Sequence, residues 1–426
     1  MDYRIYWIWL AEACTIDTVT FSKLIDSFDD AKDIYEADDY AISKCIGSKM
    51  SDRSNLSDKS LERAEEIFNF CEKHGVGILT YADSEYPENL RRIPTPPVVL
   101  YYRGKLPDFN RQFFVAAVGT RNLSDYGRRN AFKISYDLAA AGATVVSGMA
   151  LGIDGVALAG AIAAEKQTVA VLGCGIDVCY PPQHLTLARE IVKNGCILTE
   201  YPPKTPPAKF NFPKRNRIIS GLCSATVIFE GRENSGALIT ARYAKEQGRL
   251  LYALPGNVGA PNSEISNLLL KDGARPCTRA EDILGAFEKD YPCVINQFML
   301  RDRCPIDILY ALRQLEVVAN CPTDDIYIPV RQRKKAEKSI RRDKVEIENK
   351  APSSKAPAEN EKESFEAFDK DALRLYKKIP LKGYCSIESL LDEGLDLRAV
   401  MKLLLKLEMG KFIVLLPGDR VARKSR

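Results

Sequence analysis

The chain has 426 residues, of which 46% are hydrophobic and 28% charged, as in soluble globular proteins of about two or three domains. Its formal net charge of +4 is too small to indicate a polyanionic partner, so any basic site must come from local clustering. No apolar run approaches the roughly 20 residues that a membrane span needs, and the first residues carry no secretory cleavage pattern. We therefore expect a cytoplasmic protein with no membrane partner.

Cysteine and histidine usage argues against a metal site. The 12 cysteines are scattered without a CxxC pair, and the 2 histidines are His74 and His184. A structural zinc site needs several convergent Cys or His ligands, which this pattern does not supply. We predict no metal and no cofactor, and reduced, mostly buried thiols.

Residues 1–75 are predicted to form an N-terminal helical domain of the SAM or helix-hairpin-helix type. Apolar residues recur there at intervals of three and four, which indicates amphipathic helices. Gly75 follows the last helix in the position of a C-cap glycine. The predicted helices are WIWLAEA (7–13), TFSKLIDSF (20–28), DDAKDIYEA (29–37) and SLERAEEIFNFCEKHG (60–75).

Residues 76–290 alternate between strand and helix patterns, and residues 291–330 are assigned to an extension of this core. Several strands are nearly continuous apolar runs, typical of parallel strands buried on both faces. The region is therefore predicted to be an α/β, Rossmann-like, doubly wound and mostly parallel sheet. The predicted strands are 113–118, 144–147, 168–172, 196–199, 225–229 and 250–254, and the helices between them include 126–142, 155–166, 185–195 and 237–248.

The C-terminal part of the chain changes character twice. Residues 331–364 mix both charges with Pro and Ser and hold almost no aromatic side chains. Such a composition cannot bury enough apolar surface to fold, so we predict a charged flexible linker. Residues 365–426 return to a pattern of helices followed by a hairpin at Pro417-Gly418-Asp419, which resembles a winged helix. Winged helices bind duplex DNA in some proteins and partner proteins in others, so this segment does not define a function.

Glycine-rich loops follow the predicted strands, at the sheet edge where doubly wound folds bind ligands. Gly119 allows close backbone approach, the following helix start offers free N–H groups, and Arg121 is a bidentate phosphate donor. Asp154 is interpreted as the N-cap of the next helix and Glu230 as an orienting or capping residue. No GxGxxG pattern occurs, so dinucleotide binding is poorly supported. The loop residues assigned to DNA binding are Gly119, Thr120, Arg121, Ser147, Gly148, Ser235 and Gly236.

The segment TEYPPKTPPAKFNFPKRNRIISGLC (199–223) interleaves basic and aromatic side chains. Cations can follow the phosphates of a single strand while rings stack on unpaired bases, at roughly 1–3 kcal/mol per stacked base. The alternative is that Phe212 plugs the core and residues 215–217 form a solvated first helical turn. Cations at a helix start oppose the macrodipole, which favours a bound anion there. The residues assigned to DNA here are Lys209, Phe212, Lys214, Arg215, Asn216 and Arg217.

No convincing catalytic set emerges from the sequence. General acid–base chemistry usually needs a histidine or a tuned carboxylate pair at one site. His184 is interpreted as a neighbour of a helix cap, and nothing in the spacing of Asp154 and Glu230 requires them to meet. The sequence favours binding over turnover.

The chain resembles the DNA-processing protein A (DprA/Smf) family in motifs that occur in family order, strongly over residues 76–285 and more weakly towards both ends. The resemblance implies a non-catalytic, homodimeric protein that binds single-stranded DNA and helps to load RecA recombinase in natural transformation. Arg121 and residues 214–217 match the family's DNA contacts, and the dimer surface is expected near 265–270. The motifs are GTR (119–121), SGMALGID (147–154), AVLGCGIDVCYPP (170–182), TEYPP (199–203), FPKRNRIISGL (212–222), SGALITARYAKEQGR (235–249) and PGN (255–257).

Two departures from the family pattern keep alternatives open. Leu151 stands where the family usually has Arg, and Leu158 where it usually has His. Loss of that cation is expected to weaken or reshape the phosphate track, so one alternative is a protein adaptor that has lost DNA binding. Another is a nucleotide-processing enzyme of the phosphoribohydrolase type, although EGRENSGALIT (230–240) lacks that group's Pro-Gly-Gly-x-Gly-Thr signature.

Overall fold

The computed structural model describes residues 2–16, 19–47, 53–232, 235–301 and 307–317, with short stretches between 375 and 423. The chain divides into two compact units, Met1–Lys335 and Ala336–Arg426. Among the described residues, no helix is both long and apolar enough to cross a bilayer. The linker assigned to 331–364 lies outside the described residues, and the finer domain boundaries stay predictions.

The described part of residues 1–75 contains six helices, with aromatic side chains in their core. Trp7 and Phe21 are buried, and their rings meet edge to face with centroids 6.3 Å apart. Gly75 ends the last of these helices with a φ of 60°, the left-handed conformation expected of a C-cap glycine. The helices are α1 (Arg4–Ala13), α2 (Thr20–Ile25), α3 (Ala31–Glu36), α4 (Asp39–Ile46), α5 (Arg53–Ser57) and α6 (Glu62–His74).

In the described part of the first unit, nine strands form one mixed sheet. They are β1 (Gly77–Thr80), β2 (Val99–Gly104), β3 (Phe114–Val118), β4 (Thr144–Ser147), β5 (Thr168–Val171), β6 (Cys196–Thr199), β7 (Ala225–Ile228), β8 (Leu250–Ala253) and β9 (Arg275–Pro276). Their order is β1-β2-β6-β5-β4-β3-β7-β8-β9. All pairings among β3 to β9 are parallel, and β2 joins β6 antiparallel. Because the winding reverses between β3 and β7, the sheet is Rossmann-like and doubly wound, as predicted.

Both faces of this sheet are covered by helices. Along β3, Val115 and Ala117 join one hydrophobic cluster, while Phe114 and Ala116 join the cluster on the other face. All of these side chains are buried, which explains the continuous apolar run. The helices that follow α6 in this unit are α7 (Glu88–Arg91), α8 (Asp125–Ala140), α9 (Ile153–Ala163), α10 (Leu185–Asn194), α11 (Asn211–Leu222), α12 (Gly236–Glu246), α13 (Glu264–Lys271), α14 (Glu281–Phe287) and α15 (Ile308–Gln314).

The second unit contains a small sheet with its own hydrophobic cluster. Its strands are β10 (Cys385–Ser386), β11 (Ile413–Leu416) and β12 (Arg420–Arg423), in the order β10-β12-β11. The antiparallel pair of β11 and β12 brackets the predicted hairpin turn at 417–419, which lies outside the described residues. Leu375, Val400, Leu404 and Ile413 belong to the buried cluster. The winged-helix assignment stays a prediction.

Candidate nucleic-acid interface

The candidate site lies at the carboxyl edge of the parallel strands. Arg121 follows β3, Gly148 follows β4, Tyr180 lies in the loop after β5, and Glu230 follows β7. In a parallel sheet these loops emerge on one side, where glycines and helix starts can face a ligand. The order of the strands thus brings together segments that are far apart in the chain.

An exposed cation and two half-buried aromatic rings lie together at this edge. The Arg121 guanidinium carbon lies 5.9 Å from the centroid of the Phe212 ring, and Arg121 is exposed. Phe212 in turn packs on Tyr180, with ring centroids 5.1 Å apart and an angle of 31° between the planes. Gly173 lies beneath the Phe212 ring, since a Cβ there would be 2.9 Å from its Cδ1. Two loops and the first turn of α11 therefore build one cationic and aromatic surface.

Two further aromatic features extend what the sequence indicates. The sequence indicates only backbone donors in the loop that contains Tyr180. The role of the Tyr180 ring becomes visible through the contact of that ring with Phe212. Phe210, which precedes α11, is 69% exposed. Lys209 beside it is also exposed. An exposed ring next to a cation is the composition that single-strand sites use.

Arg215 lies beneath this surface rather than on it. It is 4% exposed, and its Nη1 donates to the carbonyl oxygen of Gly148 at 2.8 Å and to that of Val171. Burial lowers the pKa of Arg215, and the nearby Asp154 carboxylate opposes that shift. The Arg215 side chain is thus a buried support for the loop that begins at Gly148.

Asp154 differs from its predicted role as an N-cap. The N-cap of α9 is Gly152, and Asp154 lies inside the helix, where its Oδ2 accepts a hydrogen bond from the Gly148 N–H at 3.1 Å. Burial raises the pKa of Asp154, and the Arg215 guanidinium opposes that shift. Arg215, Gly148 and Asp154 therefore form one buried unit under the site.

Arg217 is also buried, which differs from the alternative in which residues 215–217 form a solvated first helical turn. Because α11 begins at Asn211, this arginine lies in the interior of the helix and on its inward face. Its guanidinium donates to both carboxylate oxygens of Glu200 at 2.7 Å, and Nε donates to the Thr95 carbonyl at 2.9 Å. The protein's own acceptors compensate this charge, so Arg217 does not itself support a bound anion at the helix start, and the assignment of this segment to DNA stays a prediction.

The other assigned residues separate into surface and interior positions. Lys214 Nζ donates to the Ile16 carbonyl at 3.1 Å, so this lysine reaches towards the N-terminal helices. Asn216 Nδ2 donates to the Gly236 carbonyl at 3.4 Å, and the Ser235 hydroxyl caps α12 by accepting from Ala237 N. Exposed or half-buried positions are Gly119, Thr120, Arg121, Lys209, Phe212, Lys214, Asn216, Ser235 and Gly236, whereas Ser147, Gly148, Arg215 and Arg217 are buried.

Glu230 occupies the point where the winding of the sheet reverses. It is 3% exposed, and its carboxylate accepts hydrogen bonds from the N–H of Ser124 at 2.9 Å and from the Ser124 hydroxyl. Its carbonyl oxygen accepts from the N–H of Thr120 at 2.8 Å. These bonds tie Glu230 to the N-cap of α8 and to the start of the loop after β3.

Within the part of the chain that the structure describes, His184 at this edge is not placed for open acid–base chemistry. His184 is fully buried, and its Nδ1 lies 3.0 Å from the Met149 carbonyl oxygen. Burial lowers the pKa of His184. Among the described residues, no group of His, Cys, Asp and Glu side chains is arranged to hold a metal ion. Leu158 is fully buried and Leu151 is 8% exposed.

Fold and site together define a Rossmann-like protein whose ligand edge carries a cation and aromatic rings in place of a dinucleotide loop. The sequence profile of the family described as DNA recombination-mediator protein A matches residues 77–288. The chain belongs to this family, the DprA/Smf family of DNA-processing proteins.

Relatives and a solved structure agree with this membership. Protein Smf of Synechocystis is 36% identical over 294 residues, which cover 66% of this chain and 72% of the relative. DNA processing protein DprA of Bacillus subtilis is 37% identical, with 50% of this chain and 71% of the relative covered. The X-ray structure of DNA processing protein A from Streptococcus pneumoniae superposes with a TM-score of 0.58 and 30% identity, covering 67% of this chain and 97% of that one.

Proposed function

We propose that this protein binds single-stranded DNA along the carboxyl edge of its parallel sheet, as a binding protein and not an enzyme. The observation that carries the proposal is the Arg121 guanidinium 5.9 Å from the Phe212 ring, which itself packs on Tyr180. A planar cation can pair with a phosphate while adjacent rings stack on unpaired bases. Every base has a π-face, so binding through this surface tolerates any sequence.

The exposed residues around this stack support a strand that runs past α11. Phe210 is 69% exposed although exposure of a large ring forfeits hydrophobic stabilisation, and Lys209 lies next to it. Asn216 adds an amide that is half-buried at the same helix. The buried Arg215 acts from below, because it holds the Gly148 carbonyl and thereby the loop after β4.

The biological role follows from family membership as part of the same proposal. We propose that the protein protects incoming single-stranded DNA, helps to load RecA recombinase on it during natural transformation or recombination, and acts as a homodimer. Support for a dimer surface on α13 comes from Leu268, which is 44% exposed beside the inward-facing Ile265 and Leu269.

The alternative functions have less support. A nucleotide-processing enzyme needs a carboxylate that faces an open site, whereas the Glu230 carboxylate is buried against Ser124. An adaptor without DNA binding would not need an exposed Arg121 over an aromatic pair. Leu151 in place of the family's usual arginine remains the feature in favour of the adaptor.

Fluorescence anisotropy with labelled oligo-dT and a matched duplex, repeated over a salt series, tests the proposal. We expect tighter binding of the single strand, and a logarithmic salt slope of about −0.7 per neutralised phosphate. Arg121→Ala should weaken single-strand binding by roughly tenfold, the effect of losing about 1.4 kcal/mol. Its unfolding midpoint should not change, because the side chain is exposed. Equal affinity for both DNA forms, or no binding at low salt, would overturn the proposal.

A matched pair of aromatic variants locates the surface. Phe210→Ala and Tyr40→Ala each remove an exposed ring, 69% and 79% exposed respectively, and Tyr40 lies on α4 in the N-terminal helical region. Loss of one stacking ring should weaken binding by about 1–3 kcal/mol for Phe210. The Tyr40 variant should bind like wild type. If both variants behave alike, the strand does not pass α11.

A further inference from the structure

We propose that Glu230 is the positioning residue for the Arg121 loop, and that its carboxylate takes the place of a ligand phosphate at the reversal point of the sheet. The inference rests on the proposed function, because DNA affinity is its readout. Glu230 follows β7, Arg121 follows β3, and these neighbouring strands flank the reversal. Doubly wound folds bind their ligands at this crevice.

The partial positive charge of a helix start explains why an acidic side chain lies in this crevice. Helix α8 has 16 residues, and its first N–H groups give its start a partial positive charge. The Glu230 carboxylate accepts from the Ser124 N–H at 2.9 Å and from the Ser124 hydroxyl, and Ser124 is the N-cap of α8. The carboxylate therefore satisfies the anion preference of this helix start from inside the protein.

The bonds of Glu230 hold the Arg121 loop on both sides. The carbonyl oxygen of Glu230 accepts a hydrogen bond at 2.8 Å from the N–H of Thr120, the residue immediately before Arg121. The Glu230 carboxylate accepts from Ser124, three residues after Arg121. The backbone on either side of the arginine is thus fixed to one residue. Because Arg121 itself is exposed, this anchoring is what can hold its guanidinium near Phe212.

The fit around the carboxylate leaves no room for another anion. Gly127 packs directly on it, since a Cβ at that position would be 2.2 Å from Oε2 of Glu230. Only 3% of Glu230 is exposed. A DNA phosphate would therefore bind at the outer surface next to Arg121, because the Glu230 carboxylate fills the position at the start of α8.

The direction in which one substitution at Glu230 changes DNA affinity distinguishes a positioning role from a purely electrostatic one. Glu230→Gln removes a negative charge next to a polyanion site, so charge alone predicts tighter DNA binding. A positioning role predicts weaker binding, by roughly three- to tenfold, because the charge-assisted bonds to Ser124 are lost. Glu246→Gln is the matched control, since it makes the same charge change at an exposed position on α12.

The experiment is a double-mutant cycle of Glu230→Gln with Arg121→Ala in the full chain, read by anisotropy with oligo-dT. We expect Glu230→Gln to weaken binding in the wild-type background and to change it by less than about twofold when Arg121 is absent. An equal loss in both backgrounds, or tighter binding, would overturn the positioning role. No effect of Arg121→Ala would instead refute the proposed site itself.

A second variant guards against a folding defect. Ser124→Ala removes the hydroxyl partner and keeps the backbone N–H that donates to Glu230. It should give a smaller loss of affinity of the same sign, again dependent on Arg121. If Ser124→Ala binds DNA like wild type while thermal unfolding confirms that it is folded, the side-chain anchor has no role in binding.

Discussion

The Arg217 guanidinium and the Glu200 carboxylate form a two-point ion pair inside the protein, with both N–O distances at 2.7 Å. The two side chains are 2% and 4% exposed. Arg217 also binds the Thr95 carbonyl, so the pair connects α11, the loop after β6 and the segment before β2. A residue whose motif suggests DNA contact therefore fixes α11, the helix on which DNA contacts are proposed.

Arg217→Leu should destabilise the protein and leave the DNA affinity of the folded fraction unchanged. The substitution leaves the Glu200 carboxylate buried without its partner, a loss that costs about 3–5 kcal/mol. Urea unfolding measures the free energy, and anisotropy on the folded fraction measures binding. The double variant Arg217→Leu/Glu200→Leu should recover part of the stability, since no unpaired charge remains. Weakened DNA binding at wild-type stability would show that Arg217 contacts DNA.

Gly148→Ala should damage the support beneath the site. A Cβ at Gly148 would be 2.5 Å from Arg215 Nη2 and 2.6 Å from Asp154 Oδ2, so these two buried side chains must move. We expect a loss of about 1–3 kcal/mol in unfolding free energy, as for overpacking of a core. Single-strand affinity should fall as well, because the loop after β4 shifts.

Gly285→Ala is the control for this substitution. It lies in α14, where a Cβ would meet nothing within 4 Å. Its free energy of unfolding should equal or exceed that of wild type, since alanine favours helix. Its DNA affinity should equal that of wild type. Equal behaviour of the two glycine variants in urea unfolding would contradict the tight contact at Gly148.

The central sheet could be predicted closely from the sequence. Predicted strands 144–147 and 196–199 coincide with β4 and β6, and 168–172 exceeds β5 by one residue. These strands are buried on both faces, so their apolar runs are continuous and easy to recognise. The antiparallel strands β1 and β2 were missed, because β2 joins the sheet through β6, far away in the chain. Pairing over that distance leaves no local pattern.

The site was predictable by residue type and much less by position. Arg121 could be assigned from its loop, because a strand followed by Gly-Thr-Arg directs side chains to the ligand edge. The inward direction of Arg217 depends on where α11 begins and on Glu200, 17 residues earlier, and neither is visible as a local pattern. The ring of Tyr180 gains its proposed role only from its contact with Phe212, on α11, 32 residues further along the chain.

Asp137 should make stability depend on pH below neutrality. Burial raises the pKa of Asp137 from 3.8 to about 6, Lys133 opposes the shift and Glu281 adds to it. The folded state therefore binds this proton more tightly than the unfolded state, so stability falls as pH rises from about 4 to about 6. Asp137→Asn should raise the urea midpoint at pH 7 and leave it unchanged near pH 4.

Comparing Asp137→Asn with wild type separates the contribution of Asp137 to the pH dependence of stability from that of His184. Burial lowers the pKa of His184, which acts in the opposite sense and destabilises the fold as pH falls below its ordinary value. Because His184 is present in both proteins, its contribution cancels. Asp290→Asn, the same substitution at an exposed position, is the control for the loss of one carboxylate. An Asp137→Asn profile parallel to wild type would contradict the raised pKa.

Leu151→Arg should strengthen single-strand binding, because it restores the cation that the family usually has beside this edge. Leu151 precedes Gly152, where a Cβ would be 2.4 Å from the Thr120 carbonyl oxygen, so its loop packs on the backbone of the Arg121 loop. Leu151 is 8% exposed, but the aliphatic stem of an arginine can stay buried while its head reaches water. One added phosphate contact should steepen the logarithmic salt slope by about 0.7 and raise low-salt affinity.

Leu151→Met, with similar volume and no charge, is the control and should bind like wild type. An unchanged salt slope in the arginine variant would mean that the strand does not approach the loop after β4, and would restrict the DNA path to Arg121 and α11.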